Sequence, residues 1–260
     1  MSTPGRRLLR TAWPPALVLA AIVLGWDLAA NAIRAADTLP GPWLVLRSSW
    51  GDRSNLLAAM WATSEEALLG IALAIVCALV LAIAIDWSRT VRRSIYPLMV
   101  VSQTIPLIAL APLVVIWFGF GAAPKVVLVA LFTFFAIAIG TIQGLGSADP
   151  DAMSLLRTMG ASRAQLLWRV RVPSALPQFF TGLKVSVTFA YVSAIFAEYV
   201  GSEQGLGYYM SVSKQFFRAD LVFGAVLVSA ALTLVLFGVV AALEHAVIRW
   251  RPPAQASTTW

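Results

Sequence analysis

Six stretches of predominantly apolar residues, at about 13–33, 66–85, 97–117, 124–143, 178–198 and 221–247, decide what this chain can become. Crossing the hydrocarbon core of a bilayer takes about 20 such residues in a helix. Lipid offers the backbone no hydrogen-bond partner, so an uninterrupted apolar run of this length satisfies itself as a helix. None of the six shows the alternation of a membrane β-barrel strand. Composition agrees: 60% of the 260 residues are hydrophobic and 12% charged, against about 45–50% and about 25% in soluble domains. The expected fold class is an all-α membrane protein with six transmembrane helices.

The net charge of +7 does not point to nucleic acid, because the basic residues sit in short clusters between apolar runs. Arg6, Arg7, Arg10, Arg89, Arg92, Arg93, Arg157, Arg163, Arg169, Arg171, Arg249 and Arg251 fall on one side of a six-span layout, twelve in all. Arg34, Arg47, Arg53, Lys125, Lys214 and Arg218 fall on the other, six in all. The positive-inside rule then places both termini in the cytoplasm, which requires an even number of spans. The expected organisation is a cytoplasmic tail (1–12), one transmembrane domain (13–248) and a second cytoplasmic tail (249–260). The first span has the layout of a signal peptide, but its apolar stretch is long for one and its removal breaks the charge pattern. Trp13, Trp43, Trp87, Trp117 and Trp250 at the ends of apolar runs fit interfacial belts. Cys77, the one cysteine, reads as a small buried hydrophobe.

The polar connection 144–177 is built rather than random. Asp149-Pro150 supplies an N-cap followed by proline at the first helical position. Leu155, Leu156 and Met159 then share one face of a short helix, and Gly160 ends it. Ser162 and Gln165 have the spacing of a capping box opening a second helix with Leu166, Leu167 and Val170. Pro173 and Pro177 punctuate the return to the membrane. A helix–glycine–helix element with an apolar stripe suits either a partner's groove or the headgroup layer.

Gly160-Ala161-Ser162, followed at the right interval by Val170-Arg171-Val172-Pro173, resembles the signature loop of binding-protein-dependent ABC importer permeases. That loop reads Glu-Ala-Ala, three residues, Gly, nine residues, Ile-x-Leu-Pro. The first slot departs from it, holding Ser154-Leu155-Leu156, so the family glutamate's contacts do not transfer. Gln103-Thr104-Ile105-Pro106, Ala111-Pro112, Ile116–Gly119, Gly182-Leu183-Lys184, Ala197–Gly201 and Gly205-Leu206-Gly207 extend the likeness over about residues 60–245. They are similar to the nitrate/sulfonate/taurine branch, and most to members importing pyrimidine precursors of thiamine.

The resemblance implies a type I importer fold in the cytoplasmic (inner) membrane. The loop is then the coupling helix, with Leu155, Leu156, Met159, Gly160, Ala161, Ser162, Val170, Val172 and Pro173 meeting a cytoplasmic ATPase. It also implies two ATPase copies, a second permease copy (a homodimer) and an extracytoplasmic binding protein, with no cofactor and no catalysis in this chain. The sequence has no GxxxxGK[ST] phosphate loop. A small organic nutrient, a pyrimidine or alternatively a sulfonate, taurine or nitrate, is the implied substrate.

Gln103, Thr104, Pro106 and Pro112 in the third span mark either a structural bend or a kinked helix lining a pathway. Glu198 precedes a glycine-rich segment at the end of the fifth span. It is either a solvated or paired surface carboxylate, or a gate or binding-protein contact. Lys184 has the reach to snorkel, and Gly140 and Gly144 form a small-xxx-small pair for helix packing. No grouping of Asp, Glu, His and Ser resembles a catalytic constellation. A secondary transporter or channel, the rival class, calls for an ion relay or an inverted repeat.

Overall fold

The structure, a computed structural model, describes residues 4–33, 38–102 and 106–250. Among the described residues all regular structure is helical. In chain order the helices are α1 (Pro4–Ile33), α2 (Pro42–Gly51), α3 (Arg53–Trp87), α4 (Arg89–Ser102), α5 (Leu107–Phe118), α6 (Ala122–Gly146), α7 (Pro150–Thr158) and α8 (Arg163–Leu166). A π-helical turn (Leu167–Arg171) then leads into α9 (Val172–Gly201), α10 (Leu206–Gln215) and α11 (Ala219–Val247).

Among the described residues four runs are long and apolar enough to cross a membrane: Arg53–Trp87, Ala122–Gly146, Arg163–Gly201 and Ala219–Val247. The expected first and third spans are represented by the shorter apolar helices Leu17–Ala32 and Ala109–Phe118. The third differs from expectation for a local reason. Pro106, extended at φ −67° and ψ 97°, stands at the N-cap of α5; proline donates no N–H and disfavours helix in the residue before it. The stretch 97–117 is therefore shared between α4 and α5.

The chain forms two compact units. One comprises Met1–Ala58 with Tyr209–Val228. Within it Trp26 stacks on Phe223 at 5.7 Å and donates to the Pro40 carbonyl (3.0 Å), and Tyr209 donates to Asp52 (2.7 Å). The other comprises Ala59–Tyr208 with Ser229–Trp260. Its core is rich in alanine, with Ala67, Ala74, Ala78, Ala82, Ala138, Ala190 and Ala194 among the most buried residues.

Small residues set how closely the α6–α9 pair approaches. A Cβ at Gly140 would lie 2.6 Å from the Gln178 carbonyl oxygen, and one at Gly144 would lie 2.7 Å from the Ala175 Cα. Gly182, from the other side, abuts the Ala136 carbonyl. Membrane helices gain nothing from expelling water, so close backbone approach and hydrogen bonds hold them together; Ser186 of α9 donates to the Thr133 carbonyl of α6 at 2.7 Å. The small-xxx-small reading of Gly140 and Gly144 thus acquires its partner. Cys77 is a correction: it is exposed on α3, a helix apolar enough around its circumference to show small residues outward.

Candidate functional site

Local chemistry builds the 144–177 segment. The Asp149 side chain accepts from the Asp151 backbone N–H (2.9 Å), with Pro150 beginning α7. At the far end Gly160 takes φ +81°. Its N–H bonds the Arg157 carbonyl (3.0 Å) and the Ala161 N–H bonds that of Leu156 (2.9 Å). These two bonds are the Schellman pattern, which needs a left-handed residue just past the helix end. A Cβ at Gly160 meets nothing within 4 Å, so backbone conformation, not space, selects glycine here. The Ser162–Gln165 capping box forms in both directions, at 3.3 and 2.8 Å.

The side chains divide between two directions. Leu155 (62% exposed) and Met159 (73%) stand outward with Trp168 (63%). Leu166 and Leu167 are buried, so the second helix turns its leucines inward. Leu156, Ala161, Val170, Val172 and Pro173 are half-buried, while Gly160 and Ser162 are exposed. Nor does the chain turn sharply at the prolines. The π-helical turn carries α8 directly into α9, with Pro173 in the first turn and Pro177 inside the helix. A π turn reassigns backbone bonds, and it does so where Pro173 has no N–H to offer. An ion pair between Arg171 and Asp86 ties this turn to the end of α3.

A second polar cluster lies where the N-terminal part of α3, the start of α6 and the end of α9 converge. Lys125 forms an ion pair with Glu66, the two side chains being 5% and 4% exposed, and also donates to Ser202 Oγ (2.9 Å). Glu198, 2% exposed, accepts from the Thr63 hydroxyl (2.6 Å) and from the Gly207 N–H (2.5 Å). Thr63 in turn accepts from the Leu206 N–H (2.8 Å). Leu206 and Gly207 open α10, so a carboxylate and a hydroxyl from other elements satisfy N–H groups that a helix start leaves free. Gly205, at φ +103°, and Gly207 press on the Glu198 carboxylate, and a Cβ at either would overlap it.

Of the residues singled out from sequence, Glu198 is thus buried rather than solvated. Pro112 is exposed on α5 and Pro106 at its N-cap, and Gln103 and Thr104 lie outside the described residues. Lys184 is paired with Glu244 (2.7 Å). Sequence reasoning missed Glu66, Lys125 and Thr63. The available signal was two opposite charges, each at the margin of an apolar run.

Long apolar helices define a multi-pass membrane protein, and its 144–177 segment is a capped helix–glycine–helix element joining the Ala122–Gly146 run to the Arg163–Gly201 run. The chain belongs to the binding-protein-dependent transport system inner membrane component family, whose sequence model matches residues 70–249. It is accordingly a non-catalytic transmembrane permease of the ABC importer class. It is 36% identical over 238 residues to the formylaminopyrimidine transport permease protein ThiX of Halalkalibacterium halodurans, covering 91% of this chain and 95% of that protein. It is 29% identical to the taurine transport system permease protein TauC of Escherichia coli, covering 90% and 88%. In fold it is similar to a chain of the MetNI methionine ABC transporter in an inward-facing conformation, with a TM-score of 0.62 at 16% identity over 76% of this chain and 97% of that one.

Proposed function

We propose that this chain forms the translocation path of an ATP-driven importer for a small organic nutrient, a pyrimidine precursor of thiamine of the formylaminopyrimidine type. Membership of the permease family supplies the class. The observation that carries the mechanism is the capped helix–glycine–helix element, which offers Leu155 and Met159 to a partner and continues without interruption into α9. In this reading the element is the coupling helix of a six-span permease. Two copies of the chain meet two cytoplasmic ATPase subunits through it, an extracytoplasmic binding protein delivers substrate, and both termini face the cytoplasm. ATPase closure displaces the element, and the continuous helix conveys that displacement into the membrane for alternating access.

Gln103, Thr104, Pro106 and Pro112 belong to the proposed pathway, where a proline break frees backbone carbonyls to face a cavity. Glu198 belongs to the proposed gate, as the group that holds the start of α10. The ThiX relative favours a pyrimidine. The TauC relative supports a second reading, the same machinery carrying a sulfonate.

The test is reconstitution in proteoliposomes with the cognate ATPase and binding protein, followed by uptake of labelled formylaminopyrimidine and taurine. ATP-dependent accumulation of the pyrimidine alone is expected. Accumulation of taurine alone would transfer the assignment to the second reading, and gradient-driven uptake without ATPase would overturn both.

A further inference from the structure

Where α3 ends, a cleft of about 470 Å³ is lined by Asp86 and Trp87 together with Arg157, Arg163 and Arg171. Its charge is one-sided, three guanidiniums facing one carboxylate. Asp86 is engaged by Arg171. The side chains of Arg157 and Arg163 make no hydrogen bond or ion pair with any described residue. The volume lies within the roughly 300–1,000 Å³ of small-molecule sites, and the free groups are the forked donors that grip phosphate oxygens in pairs.

Position narrows the occupant. The cleft sits at the terminus of a helix long and apolar enough to cross a membrane. Trp87, 58% exposed, occupies the place on that helix where tryptophan settles among lipid headgroups. Phospholipid phosphates lie at the same level, and basic recesses between membrane helices accept anionic headgroups.

We propose that this cleft binds the headgroup of an anionic phospholipid, Arg157 and Arg163 holding the phosphate while Asp86 keeps Arg171 turned along the third wall. The proposal requires the membrane placement of α3 and is independent of the substrate; because Arg157 lies between Leu155 and Met159 on α7, the cognate ATPase is the rival occupant that the test separates. It adds a lipid ligand to the segment that joins α7 and α8 to α3.

Native mass spectrometry of the purified protein, released from nanodiscs of phosphatidylglycerol and phosphatidylcholine, tests it. The wild type is expected to retain phosphatidylglycerol selectively. R157Q/R163Q should retain it at least roughly tenfold less well, each lost charge-assisted contact being worth that much. A control pair elsewhere, R47Q/K214Q, should retain it like the wild type, and phosphatidylcholine should be unaffected throughout. Both arginines of the test pair are exposed and unpaired, so the variants should unfold at the wild-type temperature. Equal retention by R157Q/R163Q, or equal loss by the control pair, would overturn the proposal. So would displacement of the lipid by millimolar inorganic phosphate, which would mark a free-anion site, or by the cognate ATPase, which would mark an acidic protein side chain as the occupant.

Discussion

Lys125 shows what a single side chain carries in this molecule. It is the buried cation that pairs with the buried carboxylate of Glu66, in a cluster that also holds buried Glu198. Removing one partner of a buried pair strands the other and costs about 3–5 kcal/mol, far more than the pair itself contributes. Lys125→Met should therefore lower the thermal midpoint of the purified protein sharply. The double variant E66Q/K125M should recover most of the loss in the same unfolding assay, and an additive double variant would disprove the coupling. Glu198 drew notice in the sequence because it precedes a glycine-rich segment at the end of a run. Glu66 and Lys125, also at the edges of runs, have no such neighbour and read as loop charges, and their pairing spans 59 positions.

A second residue, Tyr209, gives a pH dependence. Burial, reinforced by the hydrogen bond to Asp52, pushes its phenol above the usual tyrosine range. A group whose folded pKa is raised contributes stability fully below its unfolded pKa, about 10, and loses it as pH rises beyond that. The wild type should thus lose stability above about pH 10 more steeply than Tyr209→Phe, as denaturation midpoints across pH 8–11 would reveal.

At the scale of elements, the 144–177 segment was the most readable part of the chain, for a physical reason. Asp149-Pro150, Gly160 and Ser162 with Gln165 act within one or two turns, so their consequences are written beside them. The direction of Leu166 and Leu167 depends on the rest of the core and was not readable. Nor was the π turn, since Pro173 and Pro177 read locally as breaks. The left-handed conformation of Gly160 separates two explanations of that residue. Asparagine tolerates this conformation and a β-branched residue does not. Gly160→Asn should retain most ATP-dependent uptake, whereas Gly160→Val should abolish it while the protein still inserts in the membrane. Full uptake by a correctly inserted Gly160→Val would remove the coupling assignment.

For the whole molecule, hydropathy identified an all-helical membrane protein, and the charge distribution assigned it a direction. Each is a property of long stretches, insensitive to individual contacts. The third span escaped that averaging because a single proline at 106 sets where α5 begins. The proposed direction has a direct check. Reporter fusions at either terminus should be active only as cytoplasmic reporters, and periplasmic activity at one terminus would require an odd number of crossings. What averaging cannot convey is how tightly particular helices meet, because that is decided by residues with almost no side chain.

The glycines between α6 and α9 bear on how such a molecule changes shape. Where backbone lies against backbone at Gly140, Gly144 and Gly182, no side chain fits between the two helices, and their close contact favours movement of the pair together. A machine that cycles between two shapes needs parts that travel as one body. In the proposed stroke α6 is carried with α9 through these contacts, and substitutions that loosen the pair would waste the stroke rather than lengthen it.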